Sequence, residues 1–267
     1  MTIKAVLFDL DDTLLWDDRS VKEAFEATCR EAAARYPEID PDKLEEAVRH
    51  EARALYESFE TFPFTKMIGI NPFEGLWANF GTDHHEQFRK LGDLAPGYRK
   101  ESWTRGLKAV GVDDAELGAI LAEKFPAERR SRPYIYDETF RVLNDLKKKY
   151  KLLLLTNGAP DLQHEKIAGV PELDTYFDHI VISGAHGEGK PAESIFKHAM
   201  ELLGIEAFEG IMIGDKLTTD ILGSNRVGMH NAWINRHGVS RSDEIVPKHE
   251  IASLDELQAI INGIDKK

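Results

Sequence analysis

The chain has 267 residues, 42% of them apolar, enough to bury a substantial core. Its net charge is −13, from 34 basic and 47 acidic side chains with no long basic block, which argues against nucleic acid or an anionic membrane as a partner. The single cysteine, Cys29, excludes an internal disulfide framework and a thiolate zinc site and reads as a small buried hydrophobe. With no signal-like N-terminus and no apolar run approaching ~18 residues, the expectation is a soluble cytoplasmic protein, a monomer or weak homodimer.

Residues 3–8 (IKAVLF) form a short apolar run that reads as a strand and ends in three carboxylates, Asp9, Asp11 and Asp12. Acids crowded at a strand mouth repel one another, so the cluster points to a hard cation or a phosphate-handling reaction. A different grammar follows. Ser20 and Glu23 spell a capping box opening an amphipathic run to Tyr36, and Asp40-Pro41 and Asn71-Pro72 each place a cap before a proline suited to a first helical position. Further helices are expected at 96–110 and 114–125, with Pro126 to Pro133 as the return connection. No strand interrupts this region, which reads as an all-helical insertion over residues 17–134.

Four more strands are expected at 151–155, 179–183, 210–213 and 230–234, alternating with helices at 160–168, 191–203 and 219–226. Near-continuous apolarity implies burial on both faces, and the β-α-β rhythm implies a parallel sheet covered by helices. A weak strand near 250–252 precedes a helix opened by a second S-x-x-E box, Ser253 to Glu256. The α/β part is thus assigned to residues 1–16 and 135–267.

Open parallel sheets bind ligands at the carboxyl ends of their strands. Those ends carry Asp9 and Asp11, then Thr156 and Asn157, then a Gly-rich loop with Lys190, then Asp215 and Asp220. The loop Gly184 to Lys190 almost spells a Walker loop, but Pro191 stands where a magnesium-binding hydroxyl is needed, so it reads instead as the delivery of Lys190.

Asp9-Leu-Asp11-Asp12-Thr13, the strand Leu152 to Thr156, Lys190 in Gly-Lys-Pro, and Gly214-Asp215 with Asp220 follow in the order of four motifs. The chain resembles the haloacid dehalogenase superfamily of aspartate-nucleophile phosphatases. The resemblance implies a Rossmann-like core and a helical cap inserted after the first strand. It also implies a Mg²⁺ site formed by Asp9, the Asp11 backbone carbonyl and Asp215, supported by Asp220. In an extended Asp-x-Asp the two side chains lie on one side and can flank a phosphoryl group, with Asp9 as nucleophile and Asp11 as acid and base. Thr156, the Asn157 backbone and Lys190 would neutralise the phosphoryl oxygens, and Lys190 would hold Asp9 ionised.

The activity expected is Mg²⁺-dependent hydrolysis of a small phosphomonoester. A phosphosugar mutase or a haloacid dehalogenase on the same scaffold is the alternative. Asp12 alternates away from Asp9 and Asp11 and takes no role. His84-His85 reads as a solvated face, and Phe62, Phe64, Phe73, Trp77, Phe80 and Trp103 mainly as cap core. Lys66 and Asn71 are candidate substrate contacts, and Arg99, Lys100 and Arg105 could meet a second anionic group.

Overall fold

The structure is a computed structural model that describes residues 2–81, 85–240 and 244–266. Two compact units are present, one built from the residues up to Asp17, Tyr134–Gly158 and Lys166 onwards, the other from Asp18–Pro133 and Ala159–Glu165.

In the first unit six strands, β1 (Ala5–Phe8), β2 (Lys151–Thr156), β3 (His179–Ile182), β4 (Gly210–Gly214), β5 (His230–Ile234) and β6 (His249–Ile251), form one sheet in the order β3-β2-β1-β4-β5-β6. Every pairing is parallel, with Val6 beside Leu152 on one side and Ile211 on the other. Side chains alternate across it: Val6, Phe8, Leu152, Leu154, Ile211 and Ile213 feed one apolar cluster, and Ala5, Leu7, Leu153, Leu155 and Met212 the other. Both faces are therefore buried, as near-continuous apolar runs require. The strand order reverses direction at β1, so its carboxyl end opens the crevice between β2 and β4.

The helices in chain order are α1 (Asp17–Arg35), α2 (Pro41–Ser58), α3 (Phe62–Ile68), α4 (Pro72–Gly75), α5 (Glu86–Ala109), α6 (Ala115–Arg130), α7 (Thr139–Lys147), α8 (Pro160–Ala168), α9 (Ser183–His186), α10 (Glu193–Leu203), α11 (Leu222–Arg226) and α12 (Leu257–Asp265). None among the described residues is long and apolar enough to cross a membrane. Asp40 caps α2 through Asp42 N–H, and Asn71 caps α4 in a full box with Glu74. Ser253 and Glu256 form the expected box at a 3-10 turn leading into α12.

Several expected boundaries move. Ser20 does not cap α1, which starts at Asp17; two acids in its first turn suit the helix N-terminus, and Ser20 is buried within it. Pro96 does not open α5 but lies inside it, where buried Phe88, Leu91 and Ala95 fasten the preceding turns by packing. Pro126 likewise lies within α6, so the return connection shrinks to Ser131–Pro133. Helix α7 has no counterpart among the expected elements, although Val142, Leu143 and Leu146 bury one face. The stretch expected as a helix over 219–226 begins with a π turn at Leu217–Ile221 before α11.

The segment Ala159–Glu165, expected with the sheet, belongs to the helical unit. Ala159 and Leu162 join its apolar cluster with Trp77, Phe80 and Trp103, and Asp161 Oδ2 accepts from Gly81 N–H at 2.7 Å.

Candidate active site

Asp9 directly follows β1, and its backbone N–H donates to Ile213 O at 2.9 Å, which extends the ladder to β4 and fixes where the side chain leaves the sheet. Its Oδ1 accepts from Lys190 Nζ at 2.6 Å and its Oδ2 from Thr13 Oγ1 at 3.3 Å. The Lys190 ammonium also forms an ion pair with Asp220 Oδ1 at 2.7 Å and donates to Leu155 O at 2.7 Å, so two carboxylates and a backbone carbonyl surround it.

Lys190 is held from behind. Asn157 Oδ1 accepts from Lys190 N–H at 2.8 Å and Asn157 Nδ2 donates to Lys190 O at 2.9 Å. This clamp needs the preceding residue to be glycine, because a Cβ at Gly189 would sit 2.9 Å from Asn157 Oδ1. Thr156 ends β2 fully buried, its hydroxyl 3.4 Å from Asn157 O.

The π turn turns Asp220 back toward β4. Its Oδ2 accepts from Lys216 N–H at 3.1 Å, and the residue is 1% exposed. Gly214 makes that return possible, since a Cβ there would lie 2.2 Å from Asp220 Cγ. Gly214→Ala is therefore expected to displace Asp220 and lower stability by about 1–3 kcal/mol, the range for overpacking, with a loss of turnover alongside. Denaturant unfolding and activity of one sample check both.

Asp9, Asp215 and Asp220 bring carboxylate oxygens within 4.8 Å of one another. Asp215 Oδ1 is buried and has no hydrogen-bond partner among the described residues. Asp220 Oδ1, apart from its ion pair with Lys190, likewise has no hydrogen-bond partner among them, and three converging carboxylates with such oxygens fit a divalent cation that prefers oxygen ligands.

Electrostatics lead the same way. Burial pushes the Asp9 carboxyl above the usual range; Lys190 opposes this, and Asp220 adds to it. Lys190 thus acts on Asp9 in the direction expected of it, favouring the carboxylate form against the desolvation that burial imposes. Asp215 is raised well above the usual range by burial and by the charge of Asp9. For Lys190, desolvation works downward, yet Asp220 and Asp9 carry its pKa upward. Lys216 rises in the same way against its own desolvation, under the charges of Asp215, Asp9, Asp11 and Asp220.

Asp11 takes a different partner. Its Oδ2 accepts from Lys166 Nζ at 2.8 Å, and its carboxylate is not part of the converging triad. Asp12 has a left-handed backbone, with φ 60°.

Sequence reasoning overlooked Lys166 and Lys216. Lys166 carries a signal, because Leu162, Gln163 and Ile167 place it on the buried face of α8, an anomalous position for a lysine. Lys216 is exposed and distinguished only by its neighbours.

Of the candidate substrate contacts in the helical unit, Asn71 is used as a helix cap, Lys66 is exposed in the last turn of α3, and Arg105 pairs with Glu101 at 2.7 Å. Arg99 is buried and donates to Ala78 O and Asn79 Oδ1. Phe62, Phe64 and Phe73 pack against the apolar cluster that holds Trp77, Phe80 and Trp103. His84 lies outside the described residues. His85 caps α5, its Nδ1 accepting from Gln87 N–H at 3.2 Å, and stacks on Phe64.

An open parallel α/β unit with acids after β1 and β4, Thr156 at the end of β2 and a buried lysine after β3 defines a strand-end site of the doubly wound class. The model of the haloacid dehalogenase-like hydrolases matches residues 3–228, and the chain belongs to that family. It is 32% identical over 256 residues to the phosphoserine phosphatase of Thermus thermophilus, covering 96% of this chain and 98% of that one. It is 41% identical over 186 residues to the human N-acylneuraminate-9-phosphatase, covering 68% and 75%. Among solved structures, the magnesium-bound HAD-hydrolase YfnB of Bacillus subtilis superposes with a TM-score of 0.65 at 24% identity, covering 98% of this chain and 100% of that one; this likeness speaks to the fold.

Proposed function

We propose that this chain is a Mg²⁺-dependent phosphatase that hydrolyses a small phosphorylated metabolite through an aspartyl phosphate on Asp9. The observation that carries the reading is the convergence of Asp9, Asp215 and Asp220 on one another, with the Lys190 ammonium against Asp9 and Asp220 and with Asp215 Oδ1 left unsatisfied. The phosphatase relatives, which by name act on phosphoserine and on N-acylneuraminate 9-phosphate, support a small phosphomonoester as the substrate class.

Asp9, Asp215 and the Asp11 backbone carbonyl would hold the ion, with Asp220 beside them. When bound, Mg²⁺ supplies positive charge that offsets the repulsion between these carboxylates and a phosphate dianion. One oxygen of Asp9 attacks phosphorus while the P–O bond to the substrate alcohol breaks, and Asp11 gives its proton to the departing oxygen. Water then attacks phosphorus, Asp11 takes its proton, and the P–O bond to Asp9 breaks, returning the carboxylate and releasing inorganic phosphate. Lys190, Thr156 and the Asn157 backbone oppose the negative charge on the phosphoryl oxygens throughout. The helical unit takes the part of a cap that selects the substrate, and the sheet-bearing unit that of the catalytic core.

The test is a phosphate-release screen over small phosphomonoesters in Mg²⁺ and in EDTA. Turnover is expected with the metal and is expected to vanish on chelation and return when Mg²⁺ is added back. Undiminished turnover in EDTA would refute the reading. Halide release from 2-haloacids would mark a dehalogenase instead, and a requirement for a bisphosphate primer would mark a mutase.

A further inference from the structure

We propose that Lys166 is a positioning residue for Asp11, an inference that rests on Asp11 acting as the acid and base of the reaction. Lys166 stands on α8, and its side chain is 3% exposed. Burying an ammonium is costly unless it is paired, so its place on the inner face of the helix has to be explained by its partner. Asp11 Oδ2 is such a partner, at 2.8 Å across 155 residues of sequence.

The pairing divides labour between two lysines. Lys190 engages Asp9 and Asp220, the carboxylates grouped for a cation, whereas Lys166 engages Asp11, whose carboxylate stands outside that group. An acid that protonates a leaving oxygen must present one carboxyl oxygen along a fixed direction, and free rotation about its side-chain bonds would spoil that alignment. The Lys166 hydrogen bond fixes Oδ2 and with it the plane of the carboxyl group, so that Oδ1 carries the proton toward the leaving oxygen. Lys166 touches neither substrate nor phosphorus in this scheme and acts only through Asp11.

Leaving-group dependence separates this role from a structural one. Phenolate, with a conjugate-acid pKa of ~10 like the tyrosine side chain, departs poorly without a proton. The p-nitrophenolate ion departs far more readily and needs little help. The value of kcat/KM reports the steps through alcohol departure, so it isolates the proton donation.

The experiment measures kcat/KM on phenyl phosphate and p-nitrophenyl phosphate with Mg²⁺ for the unaltered protein, Lys166→Met and Lys166→Arg. Lys166→Met is expected to lose at least about tenfold more on phenyl phosphate than on p-nitrophenyl phosphate, a part of the 10²–10⁴-fold typical of acid–base catalysis. Lys166→Arg, which keeps a cationic donor, is expected to recover most of the difference. Equal losses on both substrates, or a rise in KM alone with kcat preserved, would overturn the inference. Should Lys166→Met fail to fold, Lys166→Gln is held to the same criteria. The underlying reading fails separately, by an unaltered protein inactive on both esters or by Asp11→Asn matching it on both.

Discussion

Asp9→Asn is expected to lower kcat/KM on any phosphomonoester substrate by at least about 10⁴-fold, the scale seen when a nucleophile that acts as part of a unit is removed. The amide has almost the shape of the carboxylate but cannot supply the attacking electron pair. The variant should fold, because Lys190 keeps its ion pair with Asp220 and its hydrogen bond to Leu155 O. Its thermal stability is expected to match or exceed that of the unaltered protein, since neutralising one member of a crowded acidic group relieves repulsion. The stabilisation conferred by added Mg²⁺ should shrink at the same time, because one oxygen donor has become an amide. Single-turnover kinetics and thermal unfolding with and without Mg²⁺ check the two halves. Retained turnover would remove Asp9 from the chemistry.

Lys190→Met is expected to cost stability as well as activity. Its ammonium lies between Asp9 and Asp220, and both carboxylates are buried. Removing one partner of a buried ion pair leaves uncompensated charge and costs about 3–5 kcal/mol. Methionine replaces much of the stem volume, so the loss reports the charge more than a cavity. Added Mg²⁺ should recover part of the melting temperature, and by a larger increment than in the unaltered protein, because it offers the stranded carboxylates another cation. Activity should fall by at least about 10²-fold even at saturating metal, the scale for losing one preorganised group that faces developing charge. Chemical denaturation across a Mg²⁺ series measures the first effect, and initial rates at saturating metal the second. A variant as stable as the parent in EDTA would mean that Lys190 is not the counter-charge of this site.

These two variants differ in a useful way. Asp9→Asn removes negative charge from an acidic cluster and keeps the packing, whereas Lys190→Met removes the positive charge that offsets it. Opposite movements in stability accompanied by a shared loss of turnover would tie the electrostatic arrangement to the chemistry.

The architecture was legible because parallel strands buried on both faces announce themselves locally. IKAVLF, KLLLL and GIMI are apolar without alternation, and the polar residues following them must stand at strand ends. Asp9, Thr156, Lys190, Asp215 and Asp220 were read from that local order. Helix boundaries are less legible wherever proline reads as punctuation. Pro96 and Pro126 both lie inside helices, where packing of one apolar face outweighs the missing backbone donor. Ser20 shows the same for a capping residue, overridden by a helix that begins one turn earlier.

Which strands exist, and which acids and lysine follow them, is written locally in the chain, because periodicity and turn chemistry act over a few residues. Which carboxylate meets which cation emerges on folding: Asp9 and Asp220 share Lys190, and Asp11 takes Lys166. Only the fold, too, revealed that Gly189 and Gly214 are fixed by close approach to Asn157 and Asp220. Charge pairing and steric clearance depend on distances of a few ångströms between segments far apart in the chain, and no local pattern encodes such distances.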